Sequence, residues 1–217
     1  MSNAAGGAPV QSSFFSMLLR MRYISRWGLM RNSRPESLAE HTLDVALLAH
    51  ALALLGVRRL GRTYDPQRAA LLALYHDAPE ILTGDMPTPV KYHDPRITQA
   101  YKQVEEAAGE QLLSLLPEDL RPDFDALLRP GAEDRELLVL VKAADKLSAL
   151  IKCVEEEHSG NREFLRAKES TRKALETMEC PELSLFLAEF YSSFTKTLDE
   201  QSAGEYNGER LPEPEKG

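Results

Sequence analysis

The chain has 217 residues, 43% of them apolar and 28% charged, with a formal net charge of −8 and a pI near 5.3. Such a composition fits one globular domain with a real core, and the acidic balance repels a long phosphodiester backbone, so no nucleic-acid polymer is expected as a partner. A small anion stays compatible where a cation or a local arginine screens that field.

No stretch is apolar for long enough to cross a bilayer, so no membrane partner is expected. Cys153 and Cys180 have neither metal nor redox spacing and point to a reducing, cytoplasmic compartment. The opening "MSNAAGGAPVQSS" has no basic residue and no apolar run, and residues 1–12 read as a disordered leader.

Helical patterning then dominates, with no convincing strand or hairpin turn. A first helix is expected over Ser13 to Tyr23, followed by the polar connector "ISRWGLMRNSRPE". The second helix has the best-marked start: Ser37 as N-cap and Glu40 three residues on form a capping box. Its apolar residues run to Leu55, where Gly56 is expected to stop it. Asp65-Pro66 and Asp94-Pro95 repeat one starting device, a capping Asp before a proline at the first helical position. They predict helices through "QRAALLALYHD" and to about Leu116. A short helix near "EDLRPDFDALL", a long one over "DRELLVLVKAADKLSALIKCVEEE" and two more, over 161–178 and 181–198, complete an all-α helical bundle spanning 13–199. The polar, Gly/Pro-rich residues 200–217 read as a disordered tail.

Four ionisable elements interrupt these apolar helices. His41 aligns at helical spacing with Val45, Leu48 and Leu52, which turns it inward. His76-Asp77 ends the third helix, and Asp145 breaks an apolar stripe with Val141 and Leu138. Taken singly, a core histidine is more often a hydrogen-bonded structural group, and a mid-helix Asp pairs with a neighbouring lysine. Together in one bundle, two imidazoles and two carboxylates make a mixed N/O donor set without thiolate, suited to Mn, Co, Fe, Ni or Zn. Two carboxylates neutralise a divalent cation and leave positions for water and a phosphate oxygen.

The segments "ESLAEH", "LYHDAPEILTGDMPTPVKY" and "VKAADKLSALIKCVEE", with "ISRWGLMRNSR", resemble the HD-domain metal-dependent phosphohydrolases and, more narrowly, the bacterial 5′-deoxynucleotidases of the YfbR type. The similarity runs from about Phe14 to Leu198. Pro79 departs from it, standing where a small residue such as Ser is expected. The resemblance implies His41, His76, Asp77 and Asp145 as metal ligands. It also implies Glu80 as the group that moves a proton, one helical turn after His76 if that helix continues. By the same resemblance Arg26 holds the 5′-phosphate and Trp27 excludes a ribose 2′-hydroxyl, while His41, Asp85, Met86, Pro87 and Thr88 line the nucleotide site, Asp85 near the sugar.

The activity so implied is hydrolysis of deoxyribonucleoside 5′-monophosphates to deoxyribonucleosides and phosphate, with a divalent cation such as Co or Mn, in a homodimer. Its rivals are another HD phosphohydrolase, acting on a cyclic nucleotide, a nucleoside triphosphate or an alarmone, and an inactive nucleotide-binding regulatory module. A triphosphate or alarmone enzyme is expected to carry more Arg and Lys near its loops than this chain does.

Overall fold

The computed structural model describes residues 11–91 and 93–202. Among them there is no strand, and a single antiparallel bridge joins Ser25 to Ser37. The first helix among the described residues is α1 (Phe14–Leu18), which tightens into a 3₁₀ turn over Leu19–Tyr23. Helix α2 (Leu38–Leu60) begins at the capping box read from the sequence, with the Ser37 hydroxyl accepting from the Glu40 N–H and the Glu40 carboxylate accepting in return from the Ser37 N–H.

Gly56 does not stop this helix. The helix continues to Leu60, and Gly61, at φ 67°, provides the left-handed cap. Gly56 instead lies where α2 meets its neighbours: a Cβ there would stand 2.7 Å from the Tyr64 ring and 3.2 Å from Glu182 Cγ. Its missing side chain thus permits close packing rather than a turn.

Asp65 and Asp94 cap α3 (Pro66–Tyr75) and α6 (Pro95–Ser114) as their Asp-Pro pairs predict. Between them lie two one-turn helices that the pattern does not reveal, α4 (Glu80–Thr83) and α5 (Thr88–Lys91). Helices α7 (Arg121–Leu128), α8 (Arg135–His158), α9 (Leu165–Glu176), α10 (Pro181–Phe190) and α11 (Leu198–Ser202) follow. The expected leader, 1–12, and tail, 200–217, lie almost wholly outside the described residues; Glu200–Ser202 belong to α11.

Two apolar clusters hold the bundle. The larger one packs Val45, Leu48 and Leu52 of α2 against Leu72 of α3, Leu140, Val141 and Leu147 of α8 and Leu183 of α10. A smaller one gathers Phe14, Met21 and Leu38 with Ala78, Ile81, Leu112 and Leu113. Fully burying each Leu or Phe contributes about 1.5–3 kcal/mol. The first cluster fixes α2, α3 and α8 side by side. The second fastens the residues just after α3 to the base of the N-terminal segment, and the functional side chains come from the seam between the two.

Candidate metal centre

His41 enters the core on the first turn of α2, one turn before Val45, and is fully buried. Helix α3 stops at Tyr75, so His76 and Asp77 leave its end while still pointing back toward α2. The result is a cluster in which one ligand atom each of His41, His76 and Asp77 lies within 4.8 Å of the others. Asp145 approaches from α8, its Oδ1 3.2 Å from His41 Nε2, but stays outside that three-residue group. Asp77 Oδ2 is 3.1 Å from His76 Nε2 and 3.7 Å from His41 Nε2.

The hydrogen bonds on the far side of each ring say which nitrogen is free. His76 Nδ1 lies 2.7 Å from the Ala73 carbonyl, an acceptor only, so this nitrogen donates and the lone pair of the neutral ring sits on Nε2. His41 Nδ1 is bonded to the Ser148 hydroxyl at 3.1 Å. Both Nε2 atoms are buried and have no aligned hydrogen-bond partner among the described residues, despite the nearby carboxylates. Buried polar atoms are ordinarily satisfied. Two orphaned imidazole nitrogens facing two carboxylates form a mixed N/O donor set of the kind that suits a divalent cation, and the residues present fit one.

Electrostatics without a cation point the same way. Burial alone pulls the His76 pKa down, but Asp77 and then Asp145 outweigh it and push it up to about 9. Asp145 feels burial in the opposite sense, and His41, then His76 and Arg26, hold it below the usual carboxylate range. Asp77 is likewise lowered against burial by His76 and His41. The carboxylates therefore hold positive charge in the cluster, as a proton on His76 or as a metal competing for the same lone pair.

Glu80 does not follow His76 on a continuing helix. The chain turns through Asp77 to Pro79 and Glu80 opens α4, its N–H bonded to the Asp77 carbonyl at 3.0 Å. Its side chain is buried nonetheless, with Oε2 unpaired. Burial, Asp77 and Asp85 push its pKa up to about 8, against the pull of Lys91 and Arg26. Asp85, half-buried in the segment between α4 and α5, is raised by burial, an effect countered by Arg26. Met86 and Pro87 adjoin it and are also half-buried, and Thr88 starts α5. Lys91 pairs with Glu105 at 2.8 Å.

Arg26 and Trp27 reach the same region from the connector before α2. The Arg26 guanidinium lies 3.2 Å from Glu36 Oε1, and Trp27 Nε1 donates to Glu36 Oε2 at 2.7 Å. Sequence reasoning missed Glu36 and Ser148 as contacts of the site. Glu36 immediately precedes the capping Ser37, so its position offered a signal; Ser148, one turn past Asp145 on α8, offered one only through helical spacing from that residue.

A family model described as 5′-deoxynucleotidase YfbR-like matches residues 13–194. The 5′-deoxynucleotidase of Yersinia pestis (strain Pestoides F) is 47% identical over 191 residues, covering 88% of this chain and 97% of that protein. The 5′-deoxynucleotidase of Yersinia pseudotuberculosis serotype O:3 (strain YPIII) gives the same figures. In structure the chain is similar to an HD-domain phosphohydrolase from Listeria innocua, with TM-score 0.72, 22% identity and coverage of 88% and 92% of the two chains. It is also similar to the cyanophage S-2L HD phosphohydrolase bound to dA and one catalytic Zn²⁺ ion, with TM-score 0.61, 21% identity and coverage of 84% and 97%.

Proposed function

The chain belongs to the 5′-deoxynucleotidase YfbR-like family, and from that premise we propose that His41, His76, Asp77 and Asp145 hold one divalent cation at the centre of its active site. The protein is a metal-dependent hydrolase, a 5′-deoxynucleotidase that converts deoxyribonucleoside 5′-monophosphates to deoxyribonucleosides and phosphate. The observation that carries the residue assignment is the pair of buried, unpartnered Nε2 atoms of His41 and His76 converging on Asp77.

A divalent cation bound there supplies charge to polarise the phosphoryl group and lowers the pKa of water at the site. The chain's own residues do the rest. Arg26 offers planar donors to the phosphate oxygens, and its Nε is buried and unpaired while Glu36 engages Nη1. The Trp27 indole forms a rigid wall against the sugar, and Asp85 with Met86, Pro87 and Thr88 completes the nucleotide side. Water attacks phosphorus as the bond to the 5′-oxygen breaks. In the metal-free site burial, Asp77 and Asp85 favour the protonated form of Glu80, and Glu80 is the group that gives a proton to the departing oxygen and regains one from the attacking water.

Cobalt or manganese suits this N/O set, as zinc does. A homodimer belongs to the same reading and is supported by Leu43 and Leu47, exposed one turn apart on α2. A cytoplasmic setting is supported by two free, buried cysteines, Cys153 and Cys180.

The test is phosphate release from dAMP, AMP, dADP, cyclic AMP and a 3′-monophosphate, with chelator or with added Co²⁺, Mn²⁺, Mg²⁺ or Zn²⁺. Release from dAMP well above AMP, lost with chelator and in Asp145→Ala, is the expected result. No turnover of any monophosphate would sink the reading.

A further inference from the structure

Glu36 is 9% exposed and takes part in neither the ligand set nor the proton transfer. Its carboxylate accepts from Trp27 Nε1 at 2.7 Å through one oxygen and from Arg26 at 3.2 Å through the other. We propose that Glu36 is the positioning residue that sets both phosphate affinity and deoxyribose selectivity, by locking Arg26 and Trp27 into a single arrangement. The proposal rests on the reading of Arg26 and Trp27 as substrate contacts.

The backbone shows why a lock is needed. Trp27 has φ 57°, the positive-φ conformation found among the described residues only here and at glycines. A bulky residue adopts it only where its surroundings over-determine it. The Trp27 carbonyl accepts from the Met30 N–H at 2.8 Å and from Asn32 Nδ2 at 3.4 Å, which fixes the turn. Its ring packs against Phe164 with centroids 5.3 Å apart. These contacts hold the peptide and one face of the indole. The side-chain torsions of Trp27 decide where Nε1 points, and Glu36 is the acceptor there.

Arg26 is held by the same carboxylate. Glu36 engages Nη1, while Nε is buried and without a hydrogen-bond partner among the described residues. One carboxylate therefore couples the group expected to hold phosphate with the wall expected to face C2′ of the sugar. Glu36 also lies 3.8 Å from His41 Nδ1, so a change there has to be separated from weaker metal binding. The loop should survive substitution, because Glu36 joins Arg26 a second time through the main chain, the Arg26 N–H donating to the Glu36 carbonyl at 2.9 Å.

The experiment compares kcat and KM for dAMP and AMP at saturating metal in the wild type, Glu36→Ala, Glu36→Gln, Trp27→Ala and the Glu36→Ala/Trp27→Ala double variant. Glu36→Ala should raise KM for dAMP and lower the dAMP/AMP ratio of kcat/KM by about tenfold, the scale of one lost charge-assisted hydrogen bond. The double variant should be no less selective than Trp27→Ala alone. Glu36→Gln keeps an acceptor for the indole N–H but not the charge beside Arg26, so KM should rise while the ratio stays closer to wild type. A ratio that falls in Trp27→Ala but not in Glu36→Ala overturns the proposal alone. A ratio unchanged in Trp27→Ala removes the reading beneath it as well. Should Glu36→Ala fail to fold, an unchanged KM in Glu36→Gln overturns the proposal.

Discussion

The Ser148 hydroxyl meets His41 Nδ1 at 3.1 Å, deep in the seam between α8 and α2. A ring nitrogen so engaged fixes the orientation in which the opposite nitrogen faces Asp77 and Asp145. His41 is fully buried, and Ser148 is its hydrogen-bond partner at Nδ1. Ser148→Ala should therefore lower divalent-metal affinity roughly 10- to 100-fold, the usual effect of removing a partner behind a ligating histidine. Titration of the metal-free protein by calorimetry measures it. Equal affinity in the variant would mean that His41 is oriented by packing alone.

Glu80 carries a pH signature in the metal-free protein. Its pKa, raised by burial, Asp77 and Asp85 to about 8, exceeds the ordinary 4.5. Between those values the unfolded chain has released a proton that the folded chain still holds. Stability therefore falls as pH rises through this window, by at most about 1.4 kcal/mol per pH unit for this one group. Glu80→Gln should be more stable than the wild type at pH 8 and nearly matched to it at pH 4.5. Urea unfolding across that range, in the presence of chelator, makes the comparison. A parallel decline in both proteins would show that Glu80 is ionised throughout.

Glu156 shows the opposite sign. It is buried near the end of α8, paired with Lys152, and accepts from Asn161 Nδ2 at 2.7 Å and from the Ser33 and Arg34 N–H groups at 2.8 and 3.3 Å. Burial would raise its pKa, but Lys152, Asn161 and Ser33 outweigh that and lower it to about 2. Its stabilising effect is present above about pH 4.5 and is lost as pH falls toward 2. Glu156→Gln leaves Lys152 buried without its counter-charge, keeping its bond to the Arg34 carbonyl, and should cost on the order of 3 kcal/mol at pH 7. The gap between variant and wild type should narrow in acid. A constant gap from pH 7 to 2 would refute the assigned ion pair.

Gly56 inverts the usual helix preference. In an exposed helix, glycine to alanine stabilises by about 1 kcal/mol. Here the new Cβ would stand 2.7 Å from the Tyr64 ring, so the ring must move or α2 must shift. Gly56→Ala should lower stability by about 1–3 kcal/mol through overpacking. Thermal melts of that variant beside Gly56→Ala/Tyr64→Ala would show the loss relieved in the double variant if the ring is the obstacle.

Local chemistry in the sequence determined the helix starts. Ser37 with Glu40, Asp65-Pro66 and Asp94-Pro95 each satisfy backbone N–H groups from within a few residues, so their caps need no distant partner. The inward turn of His41 was legible for a related reason, since it shares helical spacing with a run of apolar residues. Helix ends were less so: Gly56 and Gly61 both occupy α2's end in sequence, and only Tyr64 and Glu182, packed against the first, decide which one is the stop. The one-turn helices α4 and α5 were hidden because four residues carry no readable period.

At the site, the residue types were legible and the relationships among them were not. Composition and spacing can name two histidines and two carboxylates as donors, and resemblance can group them. Which ring nitrogen is free depends on Ala73 and Ser148 behind the rings, and a hydrogen-bond direction leaves no trace in residue order. The joint hold of Glu36 on Arg26 and Trp27 was equally invisible, because it exists only once the connector has folded back across ten residues. The pKa values of Glu80 and Glu156 are set apart by surroundings rather than by chemistry: both are buried glutamates, one facing other carboxylates and the other facing donors. Short-range hydrogen bonding and periodicity are written along the chain, whereas convergence, desolvation and charge proximity arise only when distant segments meet.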